Sequence, residues 1–426
     1  MILVYNFLLS ILTLLALPVL VPVVLVMAKY RGRTMERLGC KTQQIKKILS
    51  GKPDRTKTIW IHALSVGEVT SALPLVKALR RELPPCVLVF TVTTSSGKQV
   101  ADHLIAPFAD TILYSPFDFR VSVKRYIATI QPDIFILIET DFWPNLLFQL
   151  NRKNIPVMLV NGRISQKSFA AYTRFRFFFT PLFRCFSLLS MQTKADSTKM
   201  IDLGIAPAKV ITLGNLKYDM DIGTANSLQP GRKDLGIADQ SPIFICGSTH
   251  PGEEEILFAA FAKLTQHHHL FCILAPRDIS RGKELVELAA SFSLKAFTRS
   301  GKSTEGTVLI LDTLGELASC YRLARLAFVG GSLVSQGGHN PIEPAMYGVP
   351  VLFGPHMEDF AEIARDLLQS GGAKRITSTT LTETASAILT NRQIHESMAE
   401  NGRHLVRQHR GTMTRHVQKI QQLLDR

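Results

Sequence analysis

A polar, glycine-rich loop in the second half of the chain is the densest group of residues suited to binding a small charged ligand. The segment VGGSLVSQGGHNPIEP follows the apolar run RLAFV, so it begins where a predicted strand ends. Glycine lets the backbone approach a ligand closely, and free N–H groups at a helix start can hold a phosphate. We therefore expect this loop, which contains Gly330, Gly331, Ser332, Asn340 and Glu343, to hold a phosphate, with Glu343 accepting from a ribose hydroxyl. A purely structural turn is the alternative.

A second turn of this kind, ICGSTHPGEEE, places Ser248 and Thr249 beside an acidic helix start, where hydroxyl and N–H groups favour an anion. It matches neither a Walker A motif nor GxGxxG, so it is a weak signal by itself. Arg277 follows the next apolar run, in LAPRDISR, and a guanidinium can donate two parallel hydrogen bonds to a phosphate. These positions extend the predicted anion site.

One carboxylate in the first half is a candidate general base. Glu68 lies in HALSVGEVTSALPL, which joins an apolar run to a helical pattern. A transferase must remove a proton from the hydroxyl that attacks the donor, and a carboxylate can do this. The alternative is a structural role, because the helix dipole favours an acidic residue in the first turn. His62, near it, fits a hydrogen-bonded core histidine better than a catalytic one.

Two other segments of the first half are candidates for contact with a second substrate. ETDFWPNLL follows the run IFILI and carries Glu139 and Asn145, and NGRISQKSF follows another apolar run and carries Arg163. A guanidinium there could meet a phosphate or carboxylate of an acceptor. A helix cap at Glu139, a core position for Trp143 and solvated loop charges remain open alternatives.

These residues require strands and helices in alternation to bring them together. Apolar runs such as TIWIHAL, VLVFTVTT and IFILIE are separated by helical patterns, which predicts parallel sheets in two α/β domains. We place an amino-terminal domain at 31–220, a second at 221–400 and a terminal helix at 401–426 that could pack on the first domain. A Gly- and Pro-rich stretch at 222–241 predicts a hinge, and two such domains would face each other across a cleft.

The amino terminus, residues 1–30, is predicted to be a membrane anchor. No charged residue occurs from Ile2 to Ala28, a length sufficient for a span, and KYRGRTMER follows. The basic residues on that side place the catalytic domains in the cytoplasm. A signal peptide is the rival interpretation, and Pro18 and Pro22 leave a kinked or interfacial helix open.

Composition narrows the partners. Lys and Arg total 49 against 34 acidic residues, a formal charge of +15, which favours anionic partners such as a membrane or phosphorylated substrates. No nucleic-acid-binding motif accompanies that charge, so we expect no nucleic acid partner. Six scattered cysteines indicate a reducing compartment. The run 267–269, HHH, predicts no metal site, because adjacent histidines cannot all face one ion.

The motifs SVGE, ETDFWPN, NGRIS, GNLKYD, GST, APR, LGEL, GGS and GGHNPIEPA, in this order behind an apolar amino terminus, resemble the 3-deoxy-D-manno-octulosonic acid (Kdo) transferases. The resemblance covers nearly the whole chain. It implies the GT-B fold of two Rossmann-like domains, with Kdo transferred from CMP-Kdo to lipid IVA with inversion, in lipopolysaccharide biosynthesis at the bacterial inner membrane. It implies no metal and no cofactor, since CMP-Kdo is a substrate.

The same resemblance suggests residue roles. Glu68 corresponds to the catalytic base, and Glu139 to a residue that supports the acceptor side. It also implies that the nucleotide contacts the glycine-rich loop, at the turn Gly330–Ser332 and at Asn340 and Glu343. Further implied contacts are Gly67, Pro276, Arg277, Gly315 and Glu316.

Two other functions stay open on the sequence. One is a different GT-B transferase or an epimerase that uses a UDP-sugar, which competition by CMP and UDP would distinguish. The other is a membrane-tethered protein that binds a sugar nucleotide without catalysis. Release of CMP from CMP-Kdo in the presence of lipid IVA would exclude that function.

Overall fold

A computed structural model describes residues 1–26, 28–40, 51, 56–219, 230–237, 241–301 and 305–425. The chain divides into two compact units. Unit 1 comprises Met1–Met220 and Gly411–Arg426, and unit 2 comprises Asp221–Arg410. Most of the hinge predicted at 222–241 lies outside the described residues.

Unit 1 is built on a sheet of seven parallel strands in the order β3-β2-β1-β4-β5-β6-β7. Every residue of β2, β4 and β5 is buried, as expected for strands covered on both faces. The strands are β1 (Lys57–Ala63), β2 (Cys86–Val92), β3 (Thr111–Tyr114), β4 (Ile134–Ile138), β5 (Val157–Gly162), β6 (Leu188–Met191) and β7 (Val210–Thr212).

Successive residues of β1 show how helices cover both faces. Ile59 and Ile61 pack into one hydrophobic cluster, whereas Trp60 packs into the cluster on the other face. The helices of this part of the chain are α1 (Ile2–Val26), α2 (Ala28–Arg37), α3 (Val66–Glu82), α4 (Ser95–Leu104), α5 (Arg120–Ile130), α6 (Pro144–Arg152), α7 (Gln166–Arg174), α8 (Arg176–Phe183) and α9 (Lys194–Asp202).

Unit 2 has a second sheet of seven parallel strands, in the order β10-β11-β9-β8-β12-β13-β14. The strands are β8 (Ile243–Thr249), β9 (Phe271–Pro276), β10 (Ala296–Thr298), β11 (Val308–Ile310), β12 (Leu326–Val329), β13 (Val351–Phe353) and β14 (Ala373–Arg375). The helices are α10 (Glu254–Leu264), α11 (Gly282–Ser291), α12 (Leu317–Cys320), α13 (Ile342–Met346), α14 (Ala361–Ser370), α15 (Leu381–Thr390) and α16 (Arg392–His409). The predicted pair of Rossmann-like α/β domains is therefore confirmed.

The last helix, α17 (Thr412–Leu424), belongs to unit 1. Val417 and Ile420 are buried in the same cluster as β1 and α3. Asp219 accepts hydrogen bonds from the backbone N–H groups of Gly411 and Met413, at 3.0 and 2.6 Å. The hydrogen bonds hold the start of α17 and the buried side chains pack its middle against unit 1.

Within the residues described, no helix is both long enough and apolar enough to cross a membrane. The span predicted within residues 1–30 is therefore not supported. Two polar side chains of α1 instead contact the sheet domain. The Tyr5 hydroxyl donates to Asp118 at 2.9 Å, and the side-chain amide of Asn6 donates to Asn145 at 2.9 Å. These hydrogen bonds join α1 to the loop before α5 and to the start of α6.

In both sheets the chain adds strands first on one side of the first strand and then on the other. This reversal of strand order determines where a ligand site forms. In unit 1 the chain winds from β1 to β2 and β3 and then returns to β4 on the other side of β1. In unit 2 the same reversal lies between the neighbouring strands β8 and β12. Crevices open at such switch points beyond the carboxyl ends of the strands, where open α/β folds bind ligands.

Candidate active site

Glu68 lies in the first turn of α3, just beyond the carboxyl end of β1. It is 6% exposed, and its carboxylate accepts a hydrogen bond from the Leu64 N–H at 2.5 Å. Burial raises the pKa of Glu68 to about 8, helped by the charges of Glu139 and Asp141 and opposed by that hydrogen bond and by Arg163. A carboxyl with a pKa near neutrality can accept a proton effectively at physiological pH.

Glu139 lies across the switch point from Glu68, directly after β4. It adopts φ 63°, in the left-handed region that side chains rarely occupy. The Asn161 side-chain amide donates to its carboxylate at 3.3 Å, and the Glu139 N–H donates to the Val160 carbonyl at 2.9 Å. The helix cap considered for Glu139 is not what the structure has, because α6 begins at Pro144 with Trp143 as its cap residue.

Asp141 organises the loop that follows Glu139. Its carboxylate contacts the His62 ring at 2.9 Å, and it accepts from the Trp143 indole at 2.8 Å and the Thr93 hydroxyl at 3.3 Å. The other ring nitrogen of His62 contacts Thr91, and the ring is fully buried. His62 is thus a hydrogen-bonded core histidine, as its sequence context indicated, and it holds Asp141 in place.

The two other predicted acceptor residues differ in their surroundings. Arg163 is exposed and close enough to Glu68 to lower its pKa. Asn145 is 1% exposed, and its side-chain amide donates to the Asp118 carbonyl at 2.5 Å and to Asn6 at 2.8 Å. The Asn145 side chain therefore joins α1 to α6 in this structure, and a role in binding the acceptor stays a prediction.

In unit 2, the anion-binding N–H groups of the glycine-rich loop already have a partner. The Glu253 carboxylate is fully buried and accepts from the N–H groups of Gly331 at 2.7 Å, Ser332 at 3.0 Å and Leu333 at 2.9 Å. It also accepts from the His250 N–H at 3.0 Å. One carboxylate thus joins the loops after β8 and β12 at the switch point, in the place where a phosphate would bind to an open loop.

Gly330 shows why this loop needs glycine. A Cβ at that position would lie 2.2 Å from the Ser248 carbonyl oxygen, so the two loops could not come so close with any other residue. Ser332 is fully buried, and its hydroxyl donates to the Val329 carbonyl and accepts from the Gly354 N–H at 2.8 Å. The predicted contacts of Gly331 and Ser332 with the nucleotide would have to use atoms other than these.

The last residues of β8 and β9, with the residues that follow them, form the neighbouring part of this edge. Ser248 adopts φ 56°, and the Thr249 carbonyl accepts from the Arg277 N–H at 2.9 Å. Pro276 ends β9 and is buried, whereas Arg277 is exposed. An exposed guanidinium at the carboxyl edge of the sheet is available to a phosphate.

A pair of histidines connects the β8 loop with the β12 loop. The Nε2 atoms of His250 and His339 are 2.8 Å apart, and the rings stack with their centroids 5.1 Å apart. Burial lowers the pKa of His339 to about 4, and the charges of His250 and Arg277 add to this effect. His339 is therefore neutral at physiological pH.

The remaining predicted nucleotide contacts are also partly engaged. Asn340 accepts from the Ile342 N–H at 3.0 Å and donates to Glu343 at 3.3 Å, and burial raises the pKa of Glu343. Glu316 is 2% exposed and forms an ion pair with Arg299 at 3.0 Å. Gly315, at φ 86°, has open space where a Cβ would be, and so has Gly67 in unit 1.

Sequence reasoning missed Glu253 and His250 as parts of these arrangements. Glu253 is one of three consecutive glutamates, and only its neighbour Glu255 is exposed as an acidic helix start predicts. Its spacing of three residues from His250 was the available signal, because a side chain at that spacing can bond back to the N–H.

Comparison with known proteins identifies the family. The model described as 3-Deoxy-D-manno-octulosonic-acid transferase (kdotransferase) matches residues 32–220. A 3-deoxy-D-manno-octulosonic acid transferase of Haemophilus influenzae is 32% identical over 406 residues, covering 93% of either chain. One from Chlamydophila psittaci is 28% identical over 378 residues, 88% of this chain and 85% of its own.

A solved structure supports the fold. Acinetobacter baumannii MurG is 17% identical and covers 86% of this chain and 99% of its own, with a TM-score of 0.56. That likeness concerns architecture alone. The sequence identity to the transferases, over nearly the full length, establishes more than architecture. It shows that this chain belongs to the 3-deoxy-D-manno-octulosonic acid (Kdo) transferase family of glycosyltransferases.

Proposed function

We propose that the protein transfers Kdo from CMP-Kdo to lipid IVA, with inversion, in lipopolysaccharide biosynthesis. Glu68 takes the proton of an acceptor hydroxyl as the oxygen attacks the anomeric carbon of Kdo. The bond from that carbon to the phosphate oxygen breaks, and CMP leaves with the electron pair. A single displacement on the face opposite the leaving group inverts the configuration.

The observation that carries the proposal is the state of Glu68. It is nearly buried, and its pKa is raised to about 8. One of its oxygens accepts from Leu64, and the other makes no hydrogen bond with the described residues. A carboxylate with a free oxygen and a matched pKa is suited to general-base catalysis, which typically accelerates a reaction by about 10² to 10⁴-fold.

We assign CMP-Kdo to unit 2. The exposed Arg277 and the Gly315 turn lie at the carboxyl edge of its sheet and support binding of a nucleotide phosphate. Such groups stabilise the negative charge of departing CMP without a divalent cation. Turnover that persists with a chelator is the expected result, and loss of turnover with EDTA that Mg²⁺ restores would contradict metal independence.

We further propose that the protein works on an anionic bilayer at the cytoplasmic face of the inner membrane, with α1 lying in the interface. Tyr5 of α1 packs near Phe178, at 6.3 Å between ring centroids, so α1 lies beside α8. Phe177 of α8 and Phe175, directly before α8, are exposed, and so is Arg174. The exposed apolar side chains of α1 include Leu3, Val4, Phe7, Leu8, Ile11, Leu12, Leu14 and Leu15. An apolar face flanked by basic residues favours such binding.

The test is incubation of the full chain with CMP-Kdo and lipid IVA in detergent micelles, with CMP release and the mass of the lipid product as readouts. We expect the lipid to gain Kdo, and Glu68→Gln to bind CMP normally while turnover falls by at least about 10²-fold. Inhibition by UDP but not CMP would favour a UDP-sugar enzyme, and no release of CMP would favour a non-catalytic binding protein.

A further inference from the structure

Two arginines from the basic segment after α1 lie at the same sheet edge as Glu68. The Arg33 guanidinium donates to the Ser95 hydroxyl and to the Thr93 carbonyl, both at 2.7 Å. The Arg37 Nε donates to the Ser115 carbonyl at 3.0 Å. Thr93 follows β2 and Ser115 follows β3, so both arginines lie at the carboxyl ends of strands of the unit 1 sheet.

Helix α2 is fastened so that these side chains keep that position. The Glu36 carboxylate accepts from the Tyr114 N–H at 2.7 Å, and the Glu36 carbonyl accepts from the Tyr126 hydroxyl at 2.9 Å. The Arg37 carbonyl accepts from the Phe117 N–H at 3.0 Å. From sequence alone, the predicted role of these basic residues was only to set the orientation of a membrane span.

Neither guanidinium has a carboxylate within ion-pair distance in the part of the chain that the structure describes. Both side chains are half-buried, and the two cations lie over aromatic rings, with Arg33 4.7 Å from the Tyr114 centroid and Arg37 4.2 Å from that of Phe117. Buried charges in proteins are normally paired. Two partly buried cations with no carboxylate beside them among the described residues are therefore an arrangement that a bound anion would stabilise.

The electrostatics agree with this shortage of negative charge. Burial and the charge of Arg33 lower the pKa of Arg37, and electrostatic interactions with Tyr126, Asp141 and Tyr114 oppose the shift without reversing it. Glu36, on the same helix as both arginines, has its carboxylate engaged by the Tyr114 N–H. Arg37 uses only Nε in hydrogen bonds to the described residues, which leaves both terminal nitrogens able to donate together to one phosphate.

Thr93 links the arginines to the candidate catalytic group. Its hydroxyl contacts the Ser115 hydroxyl at 3.0 Å and donates to Asp141 at 3.3 Å, and Asp141 is one of the charges that raise the pKa of Glu68. Neighbouring strands are about 4.8 Å apart, so the end of β3 is roughly 10 Å from the end of β1. Glu68 lies just beyond the end of β1, in the first turn of α3. A phosphate on a sugar acceptor can span such a distance from the reacting hydroxyl.

We propose that Arg33 and Arg37 form an anion site that binds a phosphate group of the acceptor, with Arg37 as its bidentate donor. This inference rests on the proposed function. The site fixes the acceptor by a charge that does not react, so it acts on acceptor binding more than on the chemical step. A phospholipid headgroup has the same chemistry, and the test separates the two sources.

The test compares Arg37→Gln and Arg33→Gln with the wild type, using lipid IVA and phosphatase-treated lipid IVA in uncharged detergent micelles. We expect Arg37→Gln to raise the KM for lipid IVA at least about tenfold, with a smaller change in kcat and none in the KM for CMP-Kdo. Arg37→Lys should recover part of the loss. With the dephosphorylated acceptor, wild type and variant should become alike.

Arg125→Gln is the matched control, because that guanidinium also donates to a backbone carbonyl, of Leu38, but is exposed. KM values for lipid IVA within twofold of wild type in both Arg33→Gln and Arg37→Gln would overturn the inference. An equal loss with the dephosphorylated acceptor would also overturn it. An effect seen only on vesicles containing anionic phospholipid would assign the arginines to headgroups and likewise overturn it.

If the wild type transfers no Kdo, the proposed function fails, and binding judges the anion site separately. Both tryptophans, Trp60 and Trp143, lie in unit 1. Their fluorescence can therefore report binding of lipid IVA to that unit. Weaker binding by Arg37→Gln that disappears with the dephosphorylated lipid supports the anion site, and equal binding by wild type and variant contradicts it.

Discussion

The Glu68 carboxylate accepts a hydrogen bond from the backbone N–H of Leu64, 2.5 Å away, and thereby bonds back across the start of its own helix. The Ser65 side chain, at the N-cap, makes no capping hydrogen bond. The Glu68 carboxylate instead ties the residue before the N-cap to the first turn. The structural and catalytic interpretations of Glu68 are therefore compatible. One oxygen fastens the helix start, and the other is available to a substrate hydroxyl.

Activity should rise with pH toward about 8. The base must be ionised to accept a proton, and burial raises the pKa of Glu68 to about 8, so the active fraction declines as pH falls below that value. Because the charge of Glu139 contributes to the shift, Glu139→Gln should move the midpoint to lower pH. The measurement is kcat/KM from initial rates of CMP release. A profile that is flat from about pH 6 to 9 would contradict the assignment.

Glu68→Gln should stabilise unit 1 while it removes activity. The folded pKa of about 8 is above the ordinary value of 4.5, so the folded state favours the protonated form, and stability is lost as pH rises between these values. A neutral amide avoids this loss, and we expect a gain of up to about 3 kcal/mol at pH 7 that disappears near the ordinary carboxyl pKa. Tryptophan fluorescence in urea reports unit 1 alone. A variant less stable than wild type at pH 7 would be inconsistent with a buried, destabilised charge.

Glu253→Gln should destabilise unit 2. The carboxylate accepts four backbone N–H groups, and an amide would turn an NH2 group toward donors that it cannot satisfy. We expect a loss of about 2 to 4 kcal/mol. Thermal unfolding followed by circular dichroism, with hydrogen exchange at the 331–333 amides, measures it. Glu255→Gln is the control. Glu255 is two residues after Glu253 and is exposed, so this variant should leave both readouts unchanged. Wild-type protection of those amides in Glu253→Gln would refute the role.

Asn6→Leu should loosen α1 from unit 1. The Asn6 side chain exchanges two hydrogen bonds with Asn145, at 2.9 and 2.8 Å, and Asn145 is buried. Removing one partner leaves a buried amide partly unsatisfied, which costs about 1 to 3 kcal/mol. Faster hydrogen exchange in α1 and at the start of α6 is the expected result. Ser10→Ala serves as the control, because Ser10 is exposed and bonds only within its own helix. Unchanged exchange in Asn6→Leu would show that other contacts hold α1.

Most strands could be predicted from sequence because buried parallel strands are continuous apolar runs. The strands β1, β2, β4, β5, β8, β9 and β12 correspond to such runs. Three edge strands were missed. β3, β10 and β14 are three or four residues long, and β14 reads AKR with two exposed positions, so neither apolarity nor length marks it. Edge strands are covered on fewer sides and carry a weaker pattern.

The apolar amino terminus shows the limit of composition. Its hydropathy suggested a span, but composition cannot register a contact that is distant in sequence. The hydrogen bonds of Tyr5 and Asn6 join positions more than one hundred residues apart. They exist only because the fold brings the loop before α5 and the start of α6 to one place.

Sequence alone determined the family, the two α/β domains and the residues at strand ends, because motifs and apolar periodicity are local properties of the chain. The tertiary structure decided which of those residues are free and which are already bonded. The Glu253 carboxylate accepts from the N–H groups of Gly331 and Ser332, and Glu316 forms an ion pair with Arg299. By contrast, one carboxylate oxygen of Glu68 and the terminal nitrogens of Arg37 make no hydrogen bond with the described residues. Hydrogen-bond partnership depends on packing between distant segments, and local sequence does not encode it.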